Sequence, residues 1–162
     1  DDALRLYHMM PVKINSARTT MIVGLCREGR VDEARENFDE MSDRNVITWS
    51  TMLRAYIKNN RMDDARKLFD EMPEKNEPSW TSMLMVYTQN GRIEEAEELF
   101  EAMPEKTDFA CTVMIVGFGK KGEIAKARKV FDSMKERDDT AWRVMIQMYE
   151  RNGFESEALG LF

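Results

Sequence analysis

Phe38, Phe69, Phe100, Phe131 and Phe162 are spaced 31 residues apart without exception, and Tyr7 extends the column upstream. Ala3, Ala34, Ala65, Ala96, Ala127 and Ala158 form a second column with the same period. All three tryptophans share a third, Trp49, Trp80 and Trp142, in which Arg18 and Cys111 are the departures. Ten of the fourteen methionines fall in two more columns, one holding Met21, Met52, Met83, Met114 and Met145, the other Met10, Met41, Met72, Met103 and Met134. A period of this length makes each unit a single supersecondary element, too small to close a core alone, so neighbouring units must stack.

The unit 46–76 shows what that element is. Trp49, Met52, Leu53, Tyr56 and Ile57 follow the i, i+3, i+4, i+7, i+8 spacing of one helical face. Asn60 then stands where other units have Gly29, Gly91, Gly122 and Gly153, which marks a turn that needs positive φ. A second helix is expected next, with Ala65, Leu68, Phe69 and Met72 on its apolar face and Asp63 and Asp64 at the positive end of its dipole. Pro73 discourages its continuation. The expected fold is all-α, a right-handed α-solenoid of antiparallel helix–turn–helix repeats. Residues 1–162 form one array, divided 1–14 (partial), 15–45, 46–76, 77–107, 108–138 and 139–162 (partial). The abrupt ends of the pattern suggest part of a longer array.

Composition narrows the function. With 8 Gly and 4 Pro in 162 residues, a turn-rich β architecture is excluded. No apolar run reaches membrane-spanning length, and no signal-peptide pattern opens the chain. Cys26 and Cys111 lack metal-ligand spacing and read as small buried thiols, and the methionine columns read as core filler, not as a copper site. No cofactor and no small-molecule substrate are expected. The single histidine, His8, shares a column with Asp39, Asp70, Glu101 and Asp132 and reads as solvent-facing. No zinc-deaminase signature is present, so no catalytic step is expected from these residues.

A net charge of −6 argues against a uniformly nucleic-acid-binding surface. Acid concentrates in the second helices, however, as in Glu94, Glu95, Glu97, Glu98 and Glu101. First helices are nearly free of acid, and their thirteenth residues are Arg27, Lys58, Gln89, Lys120 and Arg151. A base at a helix C-terminus also answers the dipole. As a column, the four cations favour contact with a regularly spaced polyanion.

The stretches VITWSTMLRAYIKNNRMDDARKLFDEMPEKN and WTSMLMVYTQNGRIEEAEELFEAMPEK resemble the pentatricopeptide repeat (PPR) proteins, organellar binders of single-stranded RNA. The 31-residue unit with its Trp and Met-Pro features resembles the short S-type repeat of the plant PLS class. The resemblance implies one base per repeat, with the fifth and last residues of a repeat facing the base and the second wedging between bases. The fifth residues are Thr19, Ser50, Thr81, Thr112 and Arg143, and the last are Asn45, Asn76, Thr107 and Asp138. The wedge column is Ser16, Ile47, Pro78, Phe109 and Thr140, of which Ile47 and Phe109 suit a base face.

An Asn amide offers both a donor and an acceptor, matching adenine, whereas Asp only accepts, matching the N1–H and N2 amine of guanine. Thr19 with Asn45 and Ser50 with Asn76 resemble adenine readers, and Thr112 with Asp138 a guanine reader. Thr81 with Thr107 departs from the common pairs, and Arg143 suits a structural or phosphate role. The implied core is 5′-AANG-3′, running with the chain. The simpler reading of these Ser and Thr residues is bonding to their own backbone; their recurrence favours RNA contact. The resemblance further implies a specificity module for C-to-U editing in mitochondria or chloroplasts, with editing cofactor proteins as further partners. RNA processing or splicing is the related alternative, and a protein scaffold of the tetratricopeptide kind the unrelated one. The period of that scaffold is 34 and would leave the Asn/Asp column without a role. Arg18, Pro78 and Cys111 argue against a synthetic consensus.

Overall fold

A computed structural model describes residues 15–160. Ala3, Tyr7, His8, Met10, Phe162 and the partial repeat 1–14 lie outside the described residues. Ten α-helices are found among those described: α1 (Asn15–Arg27), α2 (Val31–Asp39), α3 (Val46–Lys58), α4 (Met62–Glu71), α5 (Glu77–Gln89), α6 (Ile93–Ala102), α7 (Asp108–Lys121), α8 (Ile124–Ser133), α9 (Asp139–Arg151) and α10 (Glu155–Leu159). Odd-numbered helices are the first of each pair, and their first residues are 31 apart. The turn within each pair places Gly29, Asn60, Gly91, Gly122 and Gly153 at φ between 57° and 80°. Asn60 carries the one positive φ that a side chain must tolerate, and Asn does so better than most residues.

Contacts divide the chain into two compact units, the first ending at Lys75 and the second starting at Asn76. In the first, α1 packs on α2 and α3, and α3 on α2 and α4. In the second, α7 packs on α5, α6, α8 and α9. A first helix can thus meet partners on several sides, and α7, packed on four helices, buries Ala110, Cys111, Met114, Ile115, Gly117 and Phe118. Second helices keep a single apolar face: α4 buries Ala65, Leu68 and Phe69, while Asp63, Asp70 and Glu71 are exposed.

The sequence columns form the core. Ala34, Ala65, Ala96 and Ala127 are fully buried, as are Met52, Met83, Met114 and Met145. Phe38 meets Trp49 edge-on with centroids 4.8 Å apart, and Phe131 meets Trp142 in the same way at 4.9 Å. Such pairs add about 0.5–1.5 kcal/mol beyond area burial. Cys26 and Cys111 are buried, and burial pushes both thiols up, keeping them protonated. Arg18 is half-buried in the Trp column and pairs with Glu40 at 3.4 Å.

A column unnoticed in the sequence closes each second helix. Arg44 donates to the carbonyls of Phe38 and Asp39 at 2.9 Å while its guanidinium lies over the Phe38 ring. Arg137 repeats this on Phe131 and Asp132, Lys75 donates to the Asp70 and Met72 carbonyls, and Lys106 sits over Phe100. Arg44, Lys75 and Arg137 satisfy orphan helix-end carbonyls, while Lys106 pairs with Glu101. They act at sites where Pro73 and Pro104 are present and equally where Ser42 and Lys135 replace them, so proline is not what ends these helices.

Candidate nucleic-acid interface

The residues expected to read bases sit at the start of each first helix. Asn45, Asn76, Thr107 and Asp138 are its N-caps, with extended backbone and a side-chain oxygen accepting from the N–H three residues on. The distances are 2.9 Å to Thr48, 3.0 Å to Ser79, 3.3 Å to Ala110 and 2.8 Å to Ala141. Asn, Asp and Thr are favoured caps, so the column was legible from the sequence as a structural one. Capping takes Oδ1 of each Asn and of Asp138, leaving an amine in the first case and a carboxylate oxygen in the second. Thr107 gives its sole side-chain oxygen to the cap.

The fifth residues lie one turn further in. The Thr19 hydroxyl meets that of Thr48 at 3.3 Å. Thr81 donates to the carbonyls of Glu77 and Pro78, and Thr112 to that of Asp108 at 2.9 Å. The backbone bonding weighed as the simpler alternative is therefore present, and it turns the oxygen lone pairs of these residues away from the helix. The Ser50 hydroxyl is buried without a hydrogen-bond partner among the described residues, and Arg143 is exposed. The wedge positions Ser16, Ile47, Pro78, Phe109 and Thr140 are all exposed, Ile47 by 63% and Phe109 by 52%. Ile47 and Phe109 are the two large apolar side chains of this column, and both face water.

Arg27, Lys58, Lys120 and Arg151 are likewise exposed and have no ion pair among the described residues. The second-helix arginines behave otherwise: Arg35 pairs with Asp39, Arg66 with Asp70 and Arg128 with Asp132, each at 2.9 Å. In the first unit a groove of about 390 Å³ between α1 and α3 is lined by Val23, Cys26, Arg27, Thr51, Arg54 and Lys58, among others. In the second, a smaller groove of about 160 Å³ between α7 and α9 has Lys120 and Arg151 in the same register, with Gln147 in place of Arg54. Arg54 was missed because it belongs to no column. Among the described residues no group of His, Cys, Asp and Glu could hold a metal, and no helix is long and apolar enough to cross a membrane.

Paired helices in tandem, with Arg27, Lys58, Lys120 and Arg151 exposed near the ends of first helices, define a helical-repeat protein. Its family is fixed by comparison: the PPR repeat family model matches residues 44–78, and PPR repeat models match 19–42, 78–107, 109–139 and 140–162. The chain belongs to the pentatricopeptide repeat family. A pentatricopeptide repeat-containing protein of Arabidopsis thaliana is 44% identical over 43 residues, which is 26% of this chain and 7% of that protein. The crystal structure of the maize pentatricopeptide repeat protein PPR10 matches 88% of this chain and 23% of its own, at 17% identity and a TM-score of 0.74. PPR10 in complex with an 18-nt psaJ RNA element matches at 0.53 over 98% of this chain and 30% of that one, at 20% identity. The nuclear proteinaceous RNase P 2 of A. thaliana matches at 0.71 over 92% of this chain and 37% of that one, at 13% identity. The chain thus spans a small part of each of these proteins, and the fold is the one they share.

Proposed function

We propose that this chain binds single-stranded RNA sequence-specifically, one base per repeat, with the core 5′-AANG-3′. The observation that carries this reading is the register shared by an exposed wedge residue, a hydroxyl and a capping Asn at the start of both α3 and α5. The cation column supplies phosphate contacts on the same helices. Asn45 and Asn76 read adenine, Asp138 reads guanine, and Thr81 with Thr107, whose hydroxyl keeps a proton to donate while its oxygen accepts in the cap, takes a purine at the third base without choosing between the two. The PPR10–RNA complex named above supports RNA as the partner class.

In its whole protein the array serves as the specificity module for C-to-U editing of a mitochondrial or chloroplast transcript, alongside editing cofactor proteins. RNA processing or splicing would use the same binding. The chain's own residues are assigned no catalytic step.

The test is titration of the 162-residue chain with short RNAs carrying AANG, or with A-to-G and G-to-A exchanges. Asn45→Asp and Asn76→Asp are expected to move preference from A to G at their own base. With at most four ladder cations, the slope of log K on log salt should be about −3 or weaker. Absence of RNA binding together with capture of a protein ligand would favour a scaffold instead.

A further inference from the structure

The α1–α3 groove of the first unit is not a copy of the α7–α9 groove of the second, although both lie between first helices in the same register. Thr51 stands where the second groove has Val144, Arg54 where it has Gln147, and Ala55 where it has Met148. Met148 lies so close to α7 that a Cβ on Gly119 would come within 2.5 Å of its Cγ, and it occupies the floor. Ala55 leaves the first floor open, and the volume is about 390 Å³ against about 160 Å³. The larger figure falls within the range of about 300–1,000 Å³ usual for ligand sites, and the smaller falls below it.

The Thr51 hydroxyl is unspent. Thr20, at the same position of the preceding repeat, donates to the Ser16 carbonyl at 2.9 Å, and Thr81 and Thr112 bond to their own helices likewise. Thr51 makes no hydrogen bond among the described residues, and it lines the groove. Arg27, Arg54 and Lys58 line it too, and no acid does.

We infer that this groove seats the ribose of the nucleotide whose base lies between Thr19 and Asn45, and that Thr51 recognises its 2′-hydroxyl. This rests on the RNA reading proposed above. Thr19 on α1 and Asn45 at the start of α3 place that base at one end of the α1–α3 seam. Val23 and Arg27 follow one and two turns on, about 6 and 12 Å along the helix. Base, sugar and phosphate then meet the reading edge, the groove and the cations in the order in which a nucleotide is built. Val23, Ala55 and Ile57 give the C–H face of a sugar an apolar floor. A 2′-hydroxyl both donates and accepts, so it can bond to Thr51 in either direction, and deoxyribose cannot. The fourth base, between Thr112 and Asp138, shares its seam with the second groove, where Val144 offers no partner.

The experiment titrates the chain with AANG RNA carrying a single 2′-deoxy nucleotide at the first or the fourth position, using wild type, Thr51→Val and Thr51→Ser. With wild type, the first-position change is expected to weaken binding about two- to tenfold, the loss of one hydrogen bond. The fourth-position change should leave it the same. Thr51→Val should bind the unmodified RNA as weakly as wild type binds the first-position deoxy RNA, and should be indifferent to that change. Its A-over-G preference at the first base should hold, and Thr51→Ser should behave as wild type. No first-position penalty in wild type, or an equal one at both positions, overturns the ribose seat and leaves base reading intact. So does a first-position penalty that persists in a folded Thr51→Val chain. Failure of wild type to bind AANG RNA at all overturns the RNA reading and this inference together.

Discussion

The two compact units have the same core and different faces. Phe38 with Trp49 in the first matches Phe131 with Trp142 in the second, down to the Arg44 and Arg137 guanidiniums over the phenylalanine rings. Yet the first helices of the first unit, α1 and α3, carry Arg18, Arg27, Arg54 and Lys58 and no acid. Those of the second balance Lys120, Lys121, Arg143 and Arg151 against Glu77, Asp108, Asp139 and Glu150. Three of these acids begin their helices, where they favour the dipole by about 0.3–1 kcal/mol. In the proposed function they also stand beside the approach of a phosphate backbone. Packing constrains the inner columns of a repeat array, while the outer face is free to exchange helix stability for polyanion affinity.

Core truncation should show the sameness most strongly. Phe38→Ala and Phe131→Ala are each expected to cost about 3–5 kcal/mol in urea unfolding. A large inequality between them would break the equivalence of the cores.

The two kinds of cation should separate next. Arg44→Met and Arg137→Met lose charged bonds to helix-end carbonyls and should lower stability by about 1–2 kcal/mol, allowing for their partial exposure. RNA affinity should stay the same. Lys58→Met and Lys120→Met should do the reverse, which paired melting and binding measurements would show.

The faces themselves are sharpened by exchanging one residue of the grooves. Arg54→Gln should weaken all RNAs a few-fold and flatten the salt slope by about 0.7, and Gln147→Arg should steepen it by as much. Lys67→Gln, the same charge change on an exposed second-helix site, should do neither. Equal effects from Arg54 and Lys67 would reduce the comparison to net charge.

The smallest effect is on pH. Hydrogen bonds from Lys121 hold Glu94 and Glu123 below the ordinary carboxylate value of 4.5, and Arg92 does the same for Glu95. Since the folded values are depressed, the stabilisation is present above about pH 4.5 and fades as pH falls through them. The melting temperature should be flat from pH 7 to 5 and decline below, slightly less so in Glu94→Gln, because these pairs are exposed.

Much of this was legible beforehand. The 31-residue period gave the helix pairs, the positive-φ turns, the buried Ala and Phe columns and the largely buried Met and Trp columns, because a repeat that must stack on copies of itself repeats its core residues. The wedge residues and the four column cations lie exposed on the first helices. The capping role of Asn45, Asn76, Thr107 and Asp138 was also available, since all are favoured N-caps ahead of apolar runs, but a second role can be assigned to a column without the first being noticed.

What the sequence determined alone is the set of faces, because periodicity states which residues share a side of a helix. Only the tertiary structure decided which polar atoms remain available on those faces. Arg44 and Arg27 are both recurring cations, and only contacts show that one is held by helix-end carbonyls and the other left to solvent. Thr48 and Ser50 are two residues apart, and only packing shows that the first hydroxyl bridges two neighbours while the second is buried without a partner among the described residues. A hydrogen bond depends on distances of a few tenths of an ångström and on the direction of a proton, and a pattern of residue types along a chain encodes neither.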